Sequence, residues 1–258
     1  MHADTYLAEG GRTGVLMLHG FTGSPASVLP WAEFLARSGY SVIAPRLPGH
    51  GTDWPEMNKT TWQDWYAEAE KGLQALAEQT DLLFIAGFSM GGALGVRLAE
   101  RYPELISGLI LVNPALKDPH GLIRRASALR FFRKTLKPSA SDISKPNPPV
   151  HGYAETPLKA LHSLSLLLRD ISPRMAKIET PILLFRSLQD HVVPASSSEA
   201  ILHEAKSLEK NLVLLENSFH VATLDYDAEI IHQESLAFIK RGEAKHSQNG
   251  VASTGDPT

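Results

Sequence analysis

Short apolar runs alternate along this chain with longer segments whose apolar residues recur at helical spacing, and this alternation constrains the fold most. Strands are predicted at 15–19, 41–47, 82–87, 108–113, 181–187 and 211–216. Helices are predicted at 27–40, 60–79, 91–103, 196–208 and 227–241. Strands that are joined by helices are typical of βαβ units, which build a parallel sheet covered by helices. We therefore predict an α/β fold with a mostly parallel central sheet.

The alternation is interrupted once, between Val112 and Pro181, where the sequence predicts helical pieces joined by loops. We expect an α/β core at 1–114 and 179–241 and a cap inserted at 115–178. A chain of 258 residues is long enough for one such domain. The segment 242–258 has few apolar residues with which to pack, so we predict a disordered tail there.

Charge and composition limit the classes of partner. The net charge is −3, but residues 115–178 contain 12 Lys and Arg against 4 Asp and Glu, so the insertion is basic. A nucleic-acid partner is not predicted, because no reading module accompanies this charge. No apolar run has the roughly 18 residues of a membrane-spanning helix, and the first residues do not form a signal peptide, so we predict a cytoplasmic protein. The absence of cysteine excludes thiolate catalysis.

The segment "GFSMGG" (87–92) matches the G-x-S-x-G pattern, in which a serine lies on a strained turn between a strand and a helix. An apolar run precedes it and an amphipathic segment follows it, as that turn requires. Glycines without a Cβ atom let the two arms of the turn approach each other. We predict that Ser89 is a nucleophile and that the Met90 N–H, at the helix N-terminus, stabilises an oxyanion.

A serine hydroxyl needs a base to remove its proton, and the base needs a carboxylate to orient it. In a strand–serine–helix architecture these follow in the order serine, acid, histidine. Asp190 comes after the apolar run 181–187, and His220 comes after 211–216. The carboxyl ends of strands are where open α/β sheets place their sites. The predicted triad is therefore Ser89, Asp190 and His220.

Other residues compete for the same roles. Alternative bases are His50, His151, His191 and His232. Asp225 and Asp227 are rivals of Asp190, but they lie so close in sequence to His220 that capping of the last helix is the favoured interpretation.

A second oxyanion donor is expected in the loop after the first predicted strand. The segment "LHGFTGSP" supplies the Phe21 N–H there, and His19 is predicted to orient the loop rather than act as a base. A metal site built from His19, His50, His191 and His220 is not favoured, because the sequence has no closely spaced ligand pair among them. No metal or cofactor is predicted.

Six segments carry a resemblance to a known family: "HGFTGSP", "APRLPGHGT", "TTWQDWYAEAEKGL", "GFSMGGAL", "DHVVP" and "NSFHVATLDYD". From Val15 to Asp227 the chain resembles the α/β-hydrolases, and more closely the bacterial monoacylglycerol lipase and carboxylesterase group. The resemblance implies an α/β-hydrolase fold, a helical cap after the strand ending near Asn113, and ester hydrolysis through an acyl-enzyme. Monoacylglycerols or similar short-to-medium-chain esters are the implied substrates. A thioesterase, an amidase and a non-catalytic ligand-binding protein remain alternatives.

The cap is expected to cover an apolar acyl pocket. Leu122, Ala126, Leu129, Phe132 and Leu136 have the spacing of one helical face, and several Arg and Lys residues occupy the rest of that helix. Such a helix either packs on the body with its charges in water or touches an anionic membrane or micelle surface. By resemblance, an acidic cap residue would hold a glycerol head group; Val150 stands at that position and Glu155 nearby is a possible substitute. The predicted pocket residues are Leu129, Phe132, Leu136, Val150, Glu155 and Val192.

Overall fold

The computed structural model describes residues 4–118, 121–137, 142–146 and 152–252, with the side chains of 249–252 left aside. Its strands are β1 (Tyr6–Ala8), β2 (Thr13–Leu18), β3 (Ser41–Ala44), β4 (Leu82–Phe88), β5 (Gly108–Val112), β6 (Thr135–Leu136), β7 (Thr156–Pro157), β8 (Ile182–Ser187) and β9 (Lys210–Leu215). Its α-helices are α1 (Leu29–Arg37), α2 (Trp54–Met57), α3 (Trp62–Ala77), α4 (Met90–Arg101), α5 (Leu122–Ala128), α6 (Leu158–Ile171), α7 (Ala195–Glu204) and α8 (Ala228–Ala252).

Seven strands form one sheet in the order β1-β3-β2-β4-β5-β8-β9. Only β1 runs antiparallel to its neighbour β3, so the prediction of a mostly parallel α/β sheet is confirmed. All six predicted strands are present. The strand predicted at 41–47 ends early, at Ala44 rather than Leu47, because Pro45 has no N–H to donate to a sheet. The three-residue β1 was not predicted, since so short a run has no recognisable period.

The sheet is covered on both faces, as its fully buried central strands require. Along β2, Leu16 and Leu18 point to one cluster, which includes residues of α3, α4 and α6. Val15 and Met17, which alternate with them, point to the other cluster, with residues of α1 and α8. This alternation is the two-residue period of a strand, and it places one core on each side of the sheet.

The insertion between β5 and β8 divides into two differently packed parts. In the first part α5 is short, and β6 pairs with β7 in a separate two-stranded sheet. In the second part the whole of α6 lies against the core, and its Leu164, Leu167 and Leu168 are buried with residues of α3 and α4. Asn58 holds the start of α6, because its side-chain oxygen accepts the N–H groups of Lys159 (2.9 Å) and Ala160 (3.2 Å). By its packing α6 is part of the core.

The last helix is longer than predicted. We expected disorder from residue 242, but α8 continues to Ala252; residues 253–258 lie outside the described part. The prediction is wrong for 242–252 because specific contacts compensate for the lack of apolar residues. Gly242 lies against the Phe84 ring, and Glu243 accepts a hydrogen bond from the Thr13 hydroxyl (2.7 Å). Among the described residues, no helix is both long enough and apolar enough to cross a bilayer.

Candidate active site

Ser89 lies at the turn where β4 ends and α4 begins, with φ 53° and ψ −116°. The turn is so tight that a Cβ atom on Gly91 would lie 2.1 Å from the Leu18 carbonyl oxygen. A Cβ atom on Gly87 would lie 2.6 Å from the Gly91 carbonyl oxygen. Both positions therefore require glycine, which explains the pattern around the serine.

Backbone strain is concentrated around this turn. In the described chain, three residues other than glycine have positive φ: Thr22 (59°), Ser89 (53°) and Asn113 (43°). Thr22 lies in the loop after β2, and Asn113 follows β5, so all three are at the carboxyl ends of adjacent strands. Such conformations cost about 1–3 kcal/mol each and persist where the surroundings enforce them, commonly at functional sites.

The structure brings the three predicted triad residues together. The Ser89 hydroxyl is 3.0 Å from His220 Nε2, and His220 Nδ1 is 2.8 Å from Asp190 Oδ2. Ser89 is 7% exposed and His220 6%, so the contacts lie in a largely dry environment. A carboxylate on one ring nitrogen fixes the tautomer that leaves the other nitrogen free to take the serine proton.

The loop after β8 holds the Asp190 carboxylate in place. Its other oxygen, Oδ1, accepts the N–H groups of Val192 and Val193, each at 2.8 Å. Charge-assisted hydrogen bonds of this kind fix the orientation of the carboxylate. Val192, a predicted pocket residue, is thus next to the acid through its backbone, while its side chain is 47% exposed.

The histidine loop is tied to β5 and β8 by a buried polar network that the sequence reasoning missed. The Asn113 side-chain amide donates to the His220 carbonyl (2.8 Å) and to Ser187 Oγ (2.9 Å). Ser187 Oγ in turn donates to the Phe219 carbonyl (2.8 Å). The network satisfies backbone groups that burial would otherwise leave unpaired, and so it sets where the imidazole lies.

Asp225 and Asp227 are not acids of the triad, and their side chains bind the loops rather than the last helix. The Asp225 carboxylate accepts the N–H groups of Phe219 (3.0 Å) and Ser144 (2.7 Å). The Asp227 carboxylate accepts two bonds from Asn217. The predicted capping role for these side chains is therefore wrong; both hold the histidine loop instead.

One more acid, Asp142, was missed by the sequence reasoning although it lies in the insertion beside the triad. Its carboxylate accepts the backbone N–H groups of His191 (3.1 Å) and His220 (3.0 Å). A lone aspartate in a basic, loop-rich segment carries no motif, so no signal in the sequence could have identified it.

The predicted oxyanion donors are in the loop after β2 and at the first residue of α4. Among the described residues, neither the Phe21 N–H nor the Met90 N–H has a backbone hydrogen-bond partner. His19 orients the first loop as predicted: its Nδ1 donates to the Gly20 carbonyl (3.0 Å), and its Nε2 accepts the Leu47 N–H (3.2 Å). Burial lowers the pKa of His19 to about 4, so the ring stays neutral and keeps both contacts.

The competing histidines are occupied elsewhere. His50 is buried beside His19, and burial lowers its pKa well below the ordinary value. His191 Nδ1 contacts Asp142, and the His232 ring stacks on Phe34 at 5.1 Å. His151 lies outside the described residues.

Comparison with known proteins assigns the family. Residues 11–227 match the Hydrolase_4 family model, described as serine aminopeptidase, S33. The chain belongs to this family. It is 40% identical over 248 residues to a thermostable monoacylglycerol lipase of Bacillus sp. (strain H-257), with 95% of this chain and 96% of that protein covered. It is 27% identical to a carboxylesterase of Bacillus subtilis (strain 168), with 90% and 94% covered.

A solved structure from work on LipS and LipT, two metagenome-derived lipolytic enzymes, has the same fold. It superposes with a TM-score of 0.89 at 40% identity, covering 93% of this chain and 98% of that chain. The α/β-hydrolase fold and the resemblance inferred from the six sequence segments are confirmed.

In this Hydrolase_4 member, the first part of the cap departs from the prediction. The expected helical face from Leu122 to Leu136 is wrong, because α5 ends at Ala128 and Leu136 lies in β6. A short 3-10 helix continues from Leu129 to Phe131, and the side chain of Phe132 after it is 87% exposed, so it does not line a buried pocket. Leu129 is 41% exposed.

The other predicted pocket residues are less exposed or fall outside the description. Leu136 and Glu155 are half-buried, and Val150 lies outside the described residues. Gly152 and Tyr153 lie across the loops that follow β2 and β3: Gly152 is near Thr22, and the Tyr153 hydroxyl donates to the Gly49 carbonyl. Residues 152–153 thus contact the loops that follow β2 and β3.

A cavity of about 650 Å³ lies between α5, α6 and α7. Its wall includes Lys117, Arg124, Arg169 and Glu204, and in the described part of the chain it includes no triad residue. None of the predicted pocket residues is in its described wall either, so the cavity does not coincide with the predicted acyl pocket. The position of that pocket stays a prediction.

Proposed function

We propose that the protein is a serine carboxylic ester hydrolase that works through an acyl-enzyme, with Ser89 as nucleophile, His220 as general base and Asp190 as the orienting acid. The observation that carries the proposal is the unbroken contact from Asp190 through His220 to the Ser89 hydroxyl. The strained serine backbone supports the same assignment. So do the Phe21 and Met90 N–H groups, which have no backbone hydrogen-bond partner among the described residues.

In the proposed reaction the Ser89 oxygen attacks the ester carbonyl carbon as its proton passes to His220 Nε2. The carbonyl oxygen becomes an oxyanion that accepts the Phe21 and Met90 N–H groups. The bond to the alcohol then breaks, and the imidazolium donates its proton to the departing alkoxide oxygen. Water repeats both steps on the acyl-serine and releases the carboxylic acid. Asp190 stays ionised and stabilises the imidazolium throughout.

We further propose monoacylglycerols or similar short-to-medium-chain acyl esters as substrates. Support comes from the 40% identity to a monoacylglycerol lipase over nearly the full length of both chains, together with the resemblance to a carboxylesterase. A cytoplasmic location stays a prediction.

A fluorophosphonate probe followed by a substrate panel tests the proposal. Wild-type protein is expected to be labelled at Ser89, and Ser89→Ala is expected not to be labelled. Rates are then measured for monoacylglycerols, diacylglycerols, triacylglycerols and short p-nitrophenyl esters. Faster hydrolysis of the monoacyl compounds supports the narrow substrate class, whereas a folded wild-type protein that is neither labelled nor active is a non-catalytic member of the fold.

The family description names an aminopeptidase, and the same triad can cleave amides or thioesters. A matched ester, thioester and amide with one acyl group distinguish these reactions. We expect the ester to react fastest. Preference for an amino-acid amide with a free α-amino group would move the assignment to a peptidase.

We also propose that the outer cap, residues 121–137, touches anionic lipid surfaces where such substrates gather. This segment contains six Arg and Lys residues and no Asp or Glu. Its Leu122, Phe131 and Phe132 are 61%, 75% and 87% exposed. Cations beside exposed aromatic rings favour an interface with anionic lipid.

Vesicle sedimentation tests this contact. Wild-type protein is expected to bind anionic vesicles, to bind neutral phosphatidylcholine vesicles less, and to be released by salt. The double variant Phe131→Ser/Phe132→Ser is expected to bind less, while Leu208→Ser, which changes a fully exposed leucine outside the cap, leaves binding unchanged. Binding that is indifferent to salt and lipid charge would contradict the proposal.

A further inference from the structure

Asp142 contacts both loops that carry the partners of Ser89. Its Oδ2 atom accepts the backbone N–H of His191, the residue after Asp190, and the backbone N–H of His220 itself. Its Oδ1 atom is 2.8 Å from His191 Nδ1, and its carbonyl oxygen accepts the Val221 N–H at 3.0 Å. A single cap residue thus joins the acid loop to the histidine loop.

The segment around Asp142 is itself held from the opposite side. Asp225, in the histidine loop, accepts the N–H groups of Ser144 (2.7 Å) and Lys145 (3.1 Å). Lys145 Nζ also donates a hydrogen bond to the Asp225 carbonyl oxygen (2.9 Å). The two carboxylates therefore bind reciprocally. Asp142 in the insertion accepts N–H groups of the two loops, and Asp225 in the histidine loop accepts N–H groups of the insertion.

The contacts of Asp142 are of the kind that fix position. Its side chain is 14% exposed, so the bonds compete only weakly with water. An ionised carboxylate strengthens each N–H contact, and a shared acceptor oxygen fixes the distance between the two donors. One donor belongs to His220 and the other to His191, the residue after Asp190. His220 Nδ1 and Asp190 Oδ2 form a 2.8 Å contact.

We propose that Asp142 is a positioning residue for hydrolysis: it sets the separation and orientation of the Asp190 and His220 loops and thereby aligns His220 Nε2 with the Ser89 hydroxyl. It does not touch the substrate carbonyl and does not transfer a proton. The inference rests on the proposed function, and it extends that function by making the cap part of what aligns the triad.

The test is to measure kcat and KM for a short p-nitrophenyl ester, fluorophosphonate labelling rates and thermal unfolding for three variants. Asp142→Ala removes the carboxylate and is expected to lower kcat and the labelling rate on the order of 10- to 100-fold, because small misalignments of reacting groups have effects of that size. KM should change little. Asp142→Asn should retain most of kcat, since its oxygen can accept both N–H groups while its NH₂ faces His191 Nδ1.

Asp118→Ala is the matched control. The Asp118 carboxylate also lies in the insertion and accepts two backbone N–H groups, those of Ile123 (2.9 Å) and Arg124 (3.0 Å), but it contacts neither triad loop. It should leave kcat nearly unchanged even if it lowers the unfolding temperature.

Unchanged kcat in Asp142→Ala would overturn the inference, as would an equal loss in Asp142→Asn or in Asp118→Ala. Each of those results leaves the proposed function intact as long as wild-type protein labels at Ser89 and cleaves the ester. Absence of labelling and turnover in wild-type protein would instead reject the proposed function.

Discussion

The outer cap and the site at the carboxyl ends of the strands differ in which side chains they bury and which they expose to solvent. At the site, Ser89 and His220 are buried, and each polar group meets a defined partner. In the outer cap, Phe131 and Phe132 point into solvent amid cations. Buried polar contacts leave few alternative arrangements, whereas exposed apolar residues have no packing partner to fix them. The sequence motifs therefore predict which residues meet at the site, whereas the spacing of apolar residues does not predict the structure of the outer cap.

Ser89→Ala should have the largest effect of the substitutions considered, and it should act on the site without affecting the outer cap. Triad members act as a unit, so kcat for a soluble ester is expected to fall roughly 10⁴- to 10⁶-fold. Removing one oxygen atom should leave the unfolding temperature close to that of wild type, which circular dichroism would verify. Near wild-type turnover would exclude Ser89 as the nucleophile.

Leu167→Ala tests whether α6 belongs with the core rather than with the outer cap. Leu167 is fully buried against α3 and α4 neighbours, so the substitution should lower the free energy of unfolding by about 2–5 kcal/mol. Urea denaturation gives this value. A loss below about 0.5 kcal/mol, the range of surface substitutions, would place α6 with the outer cap.

His19, in the loop after β2, makes the free energy of unfolding depend on pH. Its pKa is about 4 in the folded protein and about 6.5 when unfolded, so between these values the unfolded chain binds the extra proton. Stability from His19 is complete above pH 6.5 and falls by about 3 kcal/mol on acidification to pH 4. Lowered pKa values at His50 and His232 act in the same direction.

Urea titrations between pH 7.5 and pH 4.5 measure this loss. His19→Asn should flatten the dependence on pH, whatever its effect on stability at pH 7.5. If the free energy of unfolding of His19→Asn depends on pH as steeply as that of wild type, His19 is not the source of the acid sensitivity.

Phe132→Ser is expected to have the smallest effect. The ring is 87% exposed, so the free energy of unfolding should change by no more than about 0.5 kcal/mol. Hydrolysis of a soluble short ester should also be unchanged. A large destabilisation measured in urea would mean that the outer cap packs more firmly than its exposure indicates.

The sequence predicts the sheet, and it selects the three side chains that the structure brings together, because both depend on local patterns. Ser89 has glycines at required distances, and Asp190 and His220 each follow a recognisable strand. Asn113 and Asp142 were missed because their roles depend on loops 49 to 107 residues away in the chain. No local pattern records such contacts.

The two ends of the final helix explain why its length was also underestimated. Ala228 begins the helix directly after the histidine loop, which apolar periodicity detects. Beyond Arg241 the helix is held by Gly242 against Phe84 and by Glu243 at Thr13. Those contacts need the sheet already in place, so a composition argument predicted disorder.

The path of α8 has a practical consequence for handling the protein. Glu243 binds Thr13, the first residue of β2, whereas Ser89 follows the last residue of β4, a parallel neighbour of β2. The carboxyl-terminal part of the helix therefore lies at the opposite end of the strands from Ser89. Attachment to a bead through this end would leave the Ser89 end of the strands turned toward the solution.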